Sequence, residues 1–472
     1  MVDFVSKNVG NALLYVQCDA ILQPGVIRQA RTILSNASRL KSVVINFKSM
    51  DGRALIDMFD AIGSTDNLED LKIVAGDHFA DPFEPFAGGL PSLRYLELIQ
   101  FWVPWTSHLL QPTRLTHLLM YPAPPPTREF YNFLRRVPHL KTLHLKFIHR
   151  EFETPSPYDA EPIIQLHSLE SLEISGTPRV LCTLLGRVRI SLNNISHLAL
   201  DIFLSDQGEA TAGINQSLLA WRHAIVNQHQ DPVSPECIRL SKSRPWGSKW
   251  GFKGGKSAFS YAIQAWDTRY QNISLPTLLG LRCQSKTGLD YPPWANIEVR
   301  VRNARLSPYL KQFPFPNPVA FEQIWSLANL RILILNLELP RSYWPELALS
   351  LVLEDIHIPA ANVDGFVEFV LEQWYPPLAP AGSQSAQIPF PALRLFIVGA
   401  VEDHLRAPCA LQTARRVVDA LEKRALSCGD SPHIGTSPKL DSLEFNSCNS
   451  EIDSETLSRM SALATNVLWD RL

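Results

Sequence analysis

Apolar residues recur along the chain in a six-residue phrase, apolar-x-x-apolar-x-apolar. It stands at Leu40/Val43/Ile45, Leu68/Leu71/Ile73, Leu93/Leu96/Leu98, Leu115/Leu118/Met120, Leu140/Leu143/Leu145, Leu169/Leu172/Ile174 and Ile195/Leu198/Leu200. Subtracting successive first positions gives 28, 25, 22, 25, 29 and 26 residues. The phrase returns at Leu278/Leu281/Cys283, Leu330/Leu333/Leu335, Leu353/Ile356/Ile358, Leu393/Phe396/Val398 and Leu440/Leu443/Phe445, with spacings of 83, 52, 23, 40 and 47. Proline stands two residues before the first apolar position at Pro91, Pro138, Pro276, Pro391 and Pro438. Its fixed φ and missing N–H stop a helix there and start an extended segment. Helical spacing fills several intervals: Asp51 to Gly63, Thr127 with Phe130, Phe133, Leu134 and Val137, Asn362 with Phe366, Val367, Val370 and Leu371, and Thr413 with Val417, Val418 and Leu421. A strand and then a helix every 25 residues or so predicts an irregular α/β solenoid, with a curved, mostly parallel sheet on the concave side and helices on the convex side. Its first, fourth and sixth positions point inward, and its third, fifth and seventh face the concave surface.

The regular period covers residues 36–204. Residues 1–35 read as a strand-helix flank, with Val9 to Gln17 as the strand before the first repeat. Residues 205–274 break the period and read as an insertion or degenerate repeats, including a helix from Gly213 to His229. Irregular repeats follow over 275–450, interrupted by a Pro-rich loop at 375–391, and 451–472 read as a C-terminal helical cap.

The phrases at Asn67 to Ile73, Pro91 to Leu98, Pro138 to Leu145 and Pro438 to Phe445 resemble the leucine-rich-repeat superfamily, specifically the repeat region of fungal F-box-like proteins. The resemblance covers roughly residues 36–450 and implies a repeat array that recognises a protein, as in substrate receptors of F-box-type ubiquitin ligases. Two features depart from the family. The Asn or Cys expected at the ninth position occurs only as Cys448, and no Leu-Pro-x-Glu-Leu segment precedes the first repeat. We therefore expect the F-box to be lost or to lie upstream, and a ubiquitin-ligase adaptor to be a partner only in the second case.

Composition changes little in this picture. Hydrophobic residues make up 46% of the chain, ample for a core. Lys plus Arg number 44 against 46 Asp plus Glu, a net charge of −2, so no global field recruits nucleic acid or an anionic membrane. There is no apolar run of membrane-spanning length and no leader-like start at Met1, which gives the expectation of a cytoplasmic or nuclear protein without a membrane partner. The seven cysteines are scattered and form no Cys-x-x-Cys pair, so no disulfide framework or zinc site is expected.

Candidate chemistry is sparse. Gly251 to Ser257 imitates a phosphate loop, but Trp250 occupies the position where its first glycine is required. Residues 242–257 interleave Lys242, Arg244, Lys249, Lys253 and Lys256 with Trp246, Trp250 and Phe252. That pattern could grip single-stranded nucleic acid and supplies the alternative function, although a solvated loop is the simpler reading. No His-Glu-x-x-His, Gly-x-Ser-x-Gly or Gly-x-Gly-x-x-Gly is present, so neither an enzyme nor a cofactor or metal is expected. The expected concave face instead carries Tyr95, Glu97, His117, Leu119, Tyr121, Thr142, His144, Lys146 and Glu173, a mixture suited to binding a protein target of unknown identity. In the later repeats Ile332, Ile334, Leu395 and Ile397 occupy the same positions and form an alternative apolar patch.

Overall fold

The computed structural model of the chain describes residues 14–20, 39–47, 65–75, 89–111, 114–123, 128–147, 162–191, 195–204, 210–225, 237–242, 259–266, 297–303, 327–335, 339, 341–348, 350, 352–360, 363–373, 389–399, 409–428 and 439–471. They form an α/β protein with large parallel sheets and helices. The first, fourth and sixth residues of every described phrase are at most 6% exposed. The Leu278/Leu281/Cys283 phrase, the Asp51 to Gly63 helix, most of the 375–391 loop and the 243–258 part of the Trp/Lys segment lie outside the described residues.

Several strands begin in the same way. The N–H of the first phrase residue closes a tight turn onto the carbonyl three residues earlier: Leu93 to Leu90, Leu140 to Val137 and Leu393 to Phe390, each at 3.1 Å. Pro91, Pro138 and Pro391 therefore take the second turn position, where proline's φ is already correct and no amide is needed. The carbonyl of the second phrase residue then accepts two amides from the next repeat. Glu69 O takes Arg94 N at 2.8 Å and Tyr95 N at 3.0 Å, and Arg331 O takes Glu354 N and Asp355 N at 2.9 Å. Side chains at this second position pair across repeats: Lys41 with Glu69 at 3.8 Å, Lys141 with Glu170 at 2.6 Å, Arg331 with Glu354 at 2.8 Å and Arg394 with Asp441 at 2.7 Å.

Two compact units divide the chain. The first holds residues 1–231, 245–258 and 301–308, and the second 232–244, 259–300 and 309–472. In the first, strands β1 (Leu14–Ala20), β2 (Leu40–Phe47), β3 (Asp70–Val74), β4 (Tyr95–Ile99), β5 (His117–Ala123), β6 (Thr142–Phe147), β8 (Ser171–Gly176) and β10 (His197–Leu204) lie side by side, all parallel. Strands β7 (Ile164–Leu166) and β9 (Val188–Ile190) form a separate parallel pair. Helix α1 (Arg128–Arg136) buries Phe130, Tyr131, Phe133 and Leu134. Its Phe130 and Phe133 rings lie 4.6 and 5.9 Å from the ring of buried Trp105. Proline opens α2 (Pro178–Leu185) at N1, and α3 (Ala210–Ile225) buries Trp221.

In the second unit β11 (Cys237–Lys242) pairs antiparallel with β12 (Phe259–Trp266) and parallel with β14 (Ile332–Leu335). The expected 205–274 interruption is thus shared between the units, with α3 in the first and β11 and β12 in the second. Strand β13 (Ile297–Asn303) spans a point of division. The parallel order continues through β15 (Asp355–Ile358), β16 (Leu395–Val398), β17 (Leu440–Cys448) and β18 (Ala464–Arg471). Helices α4 (Trp344–Ala348), α5 (Val363–Glu368) with a following π turn, α6 (Leu411–Cys428) and α7 (Ser454–Leu463) complete this unit. The expected helical cap is therefore a helix followed by a strand. Leu440 pairs with Ala464, Leu443 with Val467 and Phe445 with Trp469, which sets Ala464/Val467/Trp469 in register with the last phrase, although Val467 and Trp469 are only half-buried.

Phe390, fully buried, has φ of 52°, a left-handed conformation costly for a large side chain. Arg424 on α6 holds it: the guanidinium donates to Phe390 O from Nε at 3.2 Å and Nη2 at 2.9 Å, and to Leu393 O at 3.4 Å. No helix among the described residues is long and apolar enough to cross a membrane.

Candidate recognition face of the first unit

Register places the sequence-selected residues together. In a parallel ladder, paired residues point to the same face, so each phrase position becomes a row across the sheet. Row three reads Ser42, Asp70, Tyr95, His117, Thr142, Ser171, His197, and row five reads Val44, Lys72, Glu97, Leu119, His144, Glu173, Ala199. Row seven adds Tyr121 next to Ile99 on β4, and Lys146 next to Ser175 on β8. Tyr95, Glu97, His117, Leu119, Tyr121, Thr142, His144, Lys146 and Glu173 thus share one face of four consecutive strands, opposite the buried phrase residues.

Glu97 is only 5% exposed, and two donors compensate its carboxylate: the Tyr95 hydroxyl at 2.6 Å and Lys72 Nζ at 2.9 Å. Burial and the adjacent Glu97 raise the Tyr95 phenol's pKa, so it remains a donor. The Tyr95 and His117 rings lie 5.8 Å apart, and His117 Nδ1 shares a hydrogen bond with Thr116 Oγ1 at 2.8 Å. His144 Nε2 shares one with Ser171 Oγ at 2.8 Å, and its ring meets that of His197 at 6.4 Å. Burial, reinforced by His197, pushes the His144 pKa down to about 4, and burial also lowers that of His117. His144 is consequently neutral near pH 7, and its 3.9 Å approach to Glu173 is a dipolar contact rather than an ion pair.

Sequence reading overlooked Lys72 and His197. Both sit at phrase positions three or five, and counting those positions along every repeat would have found them. Two hydroxyls of the network lie against imidazoles, Ser171 Oγ on His144 Nε2 and Thr116 Oγ1 on His117 Nδ1, each at 2.8 Å. Among the described residues no group of three or more His, Cys, Asp or Glu could hold a metal ion. The arrangement offers aromatic faces, neutral imidazoles and charged groups held by their neighbours, which suits recognition.

In the second unit row three runs Ile332, Asp355, Leu395, Ser442, and row five Ile334, His357, Ile397, Glu444. Ile334, His357 and Ile397 are 3%, 3% and 5% exposed, whereas Ile332, Asp355 and Leu395 are half-buried. The four isoleucine and leucine positions selected from sequence are together, with Asp355 and His357 set between them, but they do not make the expected four-residue surface patch: Ile334 and Ile397 are buried and only Ile332 and Leu395 reach solvent. No protein-family description, curated protein or solved structure matches the chain.

Proposed function

We propose that the chain is a noncatalytic protein-recognition solenoid of the leucine-rich-repeat type, working in the cytoplasm or nucleus and presenting the first unit's Tyr95, His117, Thr142 and His144 face to a protein target. A relationship to substrate receptors of F-box-type ubiquitin ligases is part of the proposal. Ubiquitin chemistry would reside in other subunits, reached through an adaptor if an F-box segment accompanies the repeats. The observation that carries this reading is the division of labour between faces. Phrase positions one, four and six are uniformly apolar and buried, while rows three and five vary among aromatic, imidazole and charged residues in continuous register. Folding requires the first set, and the variety of the second is what a binding surface needs.

A photoreactive amino acid at Thr142 of the full chain tests this reading. It is expected to give discrete protein adducts in cell extract that are absent when the same group stands at exposed Asn132 on α1. His117→Ala, which leaves the Tyr95–Glu97–Lys72 contacts in place, should remove those adducts while leaving the melting temperature within a few degrees. Equal labelling from Asn132 would overturn the assignment of the face.

A further inference from the structure

The second unit's sheet face carries a carboxylate in apolar surroundings. Ile332 and Leu395 flank Asp355 in register on neighbouring strands. Behind them Ile334, His357 and Ile397 form a buried row. Two guanidinium groups are close, but each has its own acid: Arg331 pairs with Glu354 at 2.8 Å and Arg394 with Asp441 at 2.7 Å. Among the described residues none donates a hydrogen bond to the Asp355 carboxylate or forms an ion pair with it. Burial is the main cause that moves its pKa up to about 6, with Glu354 and Asp441 adding to the rise and Arg331 and Arg394 opposing it. An anion withdrawn from water without a partner is unfavourable, and an incoming cation relieves that cost.

We infer that this face captures a lysine or arginine side chain from an extended segment of a partner protein, with the Asp355 carboxylate as anchor and Ile332 and Leu395 packing the methylene stem. Complementarity selects this occupant. A single carboxylate without further oxygen ligands is a poor site for magnesium or calcium, and a phosphate backbone would be repelled. A long aliphatic stem ending in a cation matches both the apolar flanks and the charge. The inference rests on the recognition reading above but uses a different face. The charged groups near Asp355 keep their present pairings, Arg331 with Glu354 and Arg394 with Asp441, and the buried imidazole of His357 lies two residues along the same strand.

The test is selection of a bead-bound library of random nonapeptides against the full chain at pH 7.5. Retained sequences should be enriched in Lys or Arg beside apolar residues, and the best of them should bind Asp355→Asn at least about tenfold more weakly. Binding to the unmodified chain should also fall about tenfold at pH 5, where a carboxyl group titrating near 6 is about nine-tenths protonated. Asp355→Asn should melt no lower than the unmodified chain, which separates lost binding from lost folding. Absence of cationic enrichment, or enrichment unchanged in Asp355→Asn, overturns the proposal. Loss with Tyr95→Ala but not with Asp355→Asn would assign the peptides to the first unit, overturning this inference while leaving the recognition reading in place.

Discussion

The two units bury the same phrase positions and differ on the opposite face of their sheets. In the first unit that face holds Glu97 between Tyr95 and Lys72, and His144 against Ser171. In the second it holds Ile332, Ile334, Leu395 and Ile397 around Asp355 and His357. Sheet construction demands only that the inward rows be apolar, and the outward rows differ between the units. Where they became polar, the buried charge has neighbours that compensate it. Where they became apolar, Asp355 is left desolvated.

The comparison breaks first at the shared core. Leu143→Ala in the first unit and Ile356→Ala in the second should each cost roughly 2–5 kcal/mol in urea denaturation of the full chain, since both residues are buried. A cost below about 0.5 kcal/mol at either site would show that the units are not built alike. Next in size is Arg424→Met, which keeps much of the stem but removes the donors to Phe390 O and Leu393 O. We expect a loss of about 3 kcal/mol, against less than 1 for the exposed Arg135→Met on α1.

The sharpest contrast lies in acid. Folding favours neutral His144, so its contribution is complete above the ordinary histidine value of 6.5 and is lost as pH falls from there to about 4, on the order of 2–3 kcal/mol. Folding also favours protonated Asp355, whose ordinary value is 3.8, so stability is gained as pH falls through about 6 and the gain is complete near 4, on the order of 2 kcal/mol. His144→Gln should therefore flatten the acid decline, and Asp355→Asn should raise stability at pH 7 but not at pH 4. Parallel denaturation curves from pH 7 to 4 for both variants would refute the opposed assignment.

Much of the fold was legible because one rule, the buried phrase, repeats in the sequence. Positions three and five could be read by counting, and that located Tyr95, His117 and His144 correctly on one face. Counting alone could not say which neighbours would compensate Glu97. The Lys72 contact depends on the lateral register of β3 and β4, which the sequence does not spell out. Asp355 and His357 sit inside the Leu353/Ile356/Ile358 phrase at the same countable positions, yet the longer apolar runs around Leu330 and Leu393 drew the reading away from them. Strand β18 was missed because Ala464 and Trp469 are poor imitations of leucine, and its place is fixed by pairing with β17.

The ladder of second-position side chains imposes a parity on the chain. Arg331, Glu354, Arg394 and Asp441 alternate in sign on successive strands. Lys41, Glu69 and Arg94 do the same, and neutral Thr116 separates Arg94 from Lys141 and its partner Glu170. Deleting one such repeat would set Arg331 beside Arg394 or Glu354 beside Asp441, whereas deleting two would restore attraction. Exposed pairs of this kind are individually weak, and the alternation is unbroken across four strands only from Arg331 to Asp441. Lengthening or shortening this stretch of the second unit is thus electrostatically smooth in pairs of phrases and frustrated in single ones, a counting rule for its evolution and its redesign.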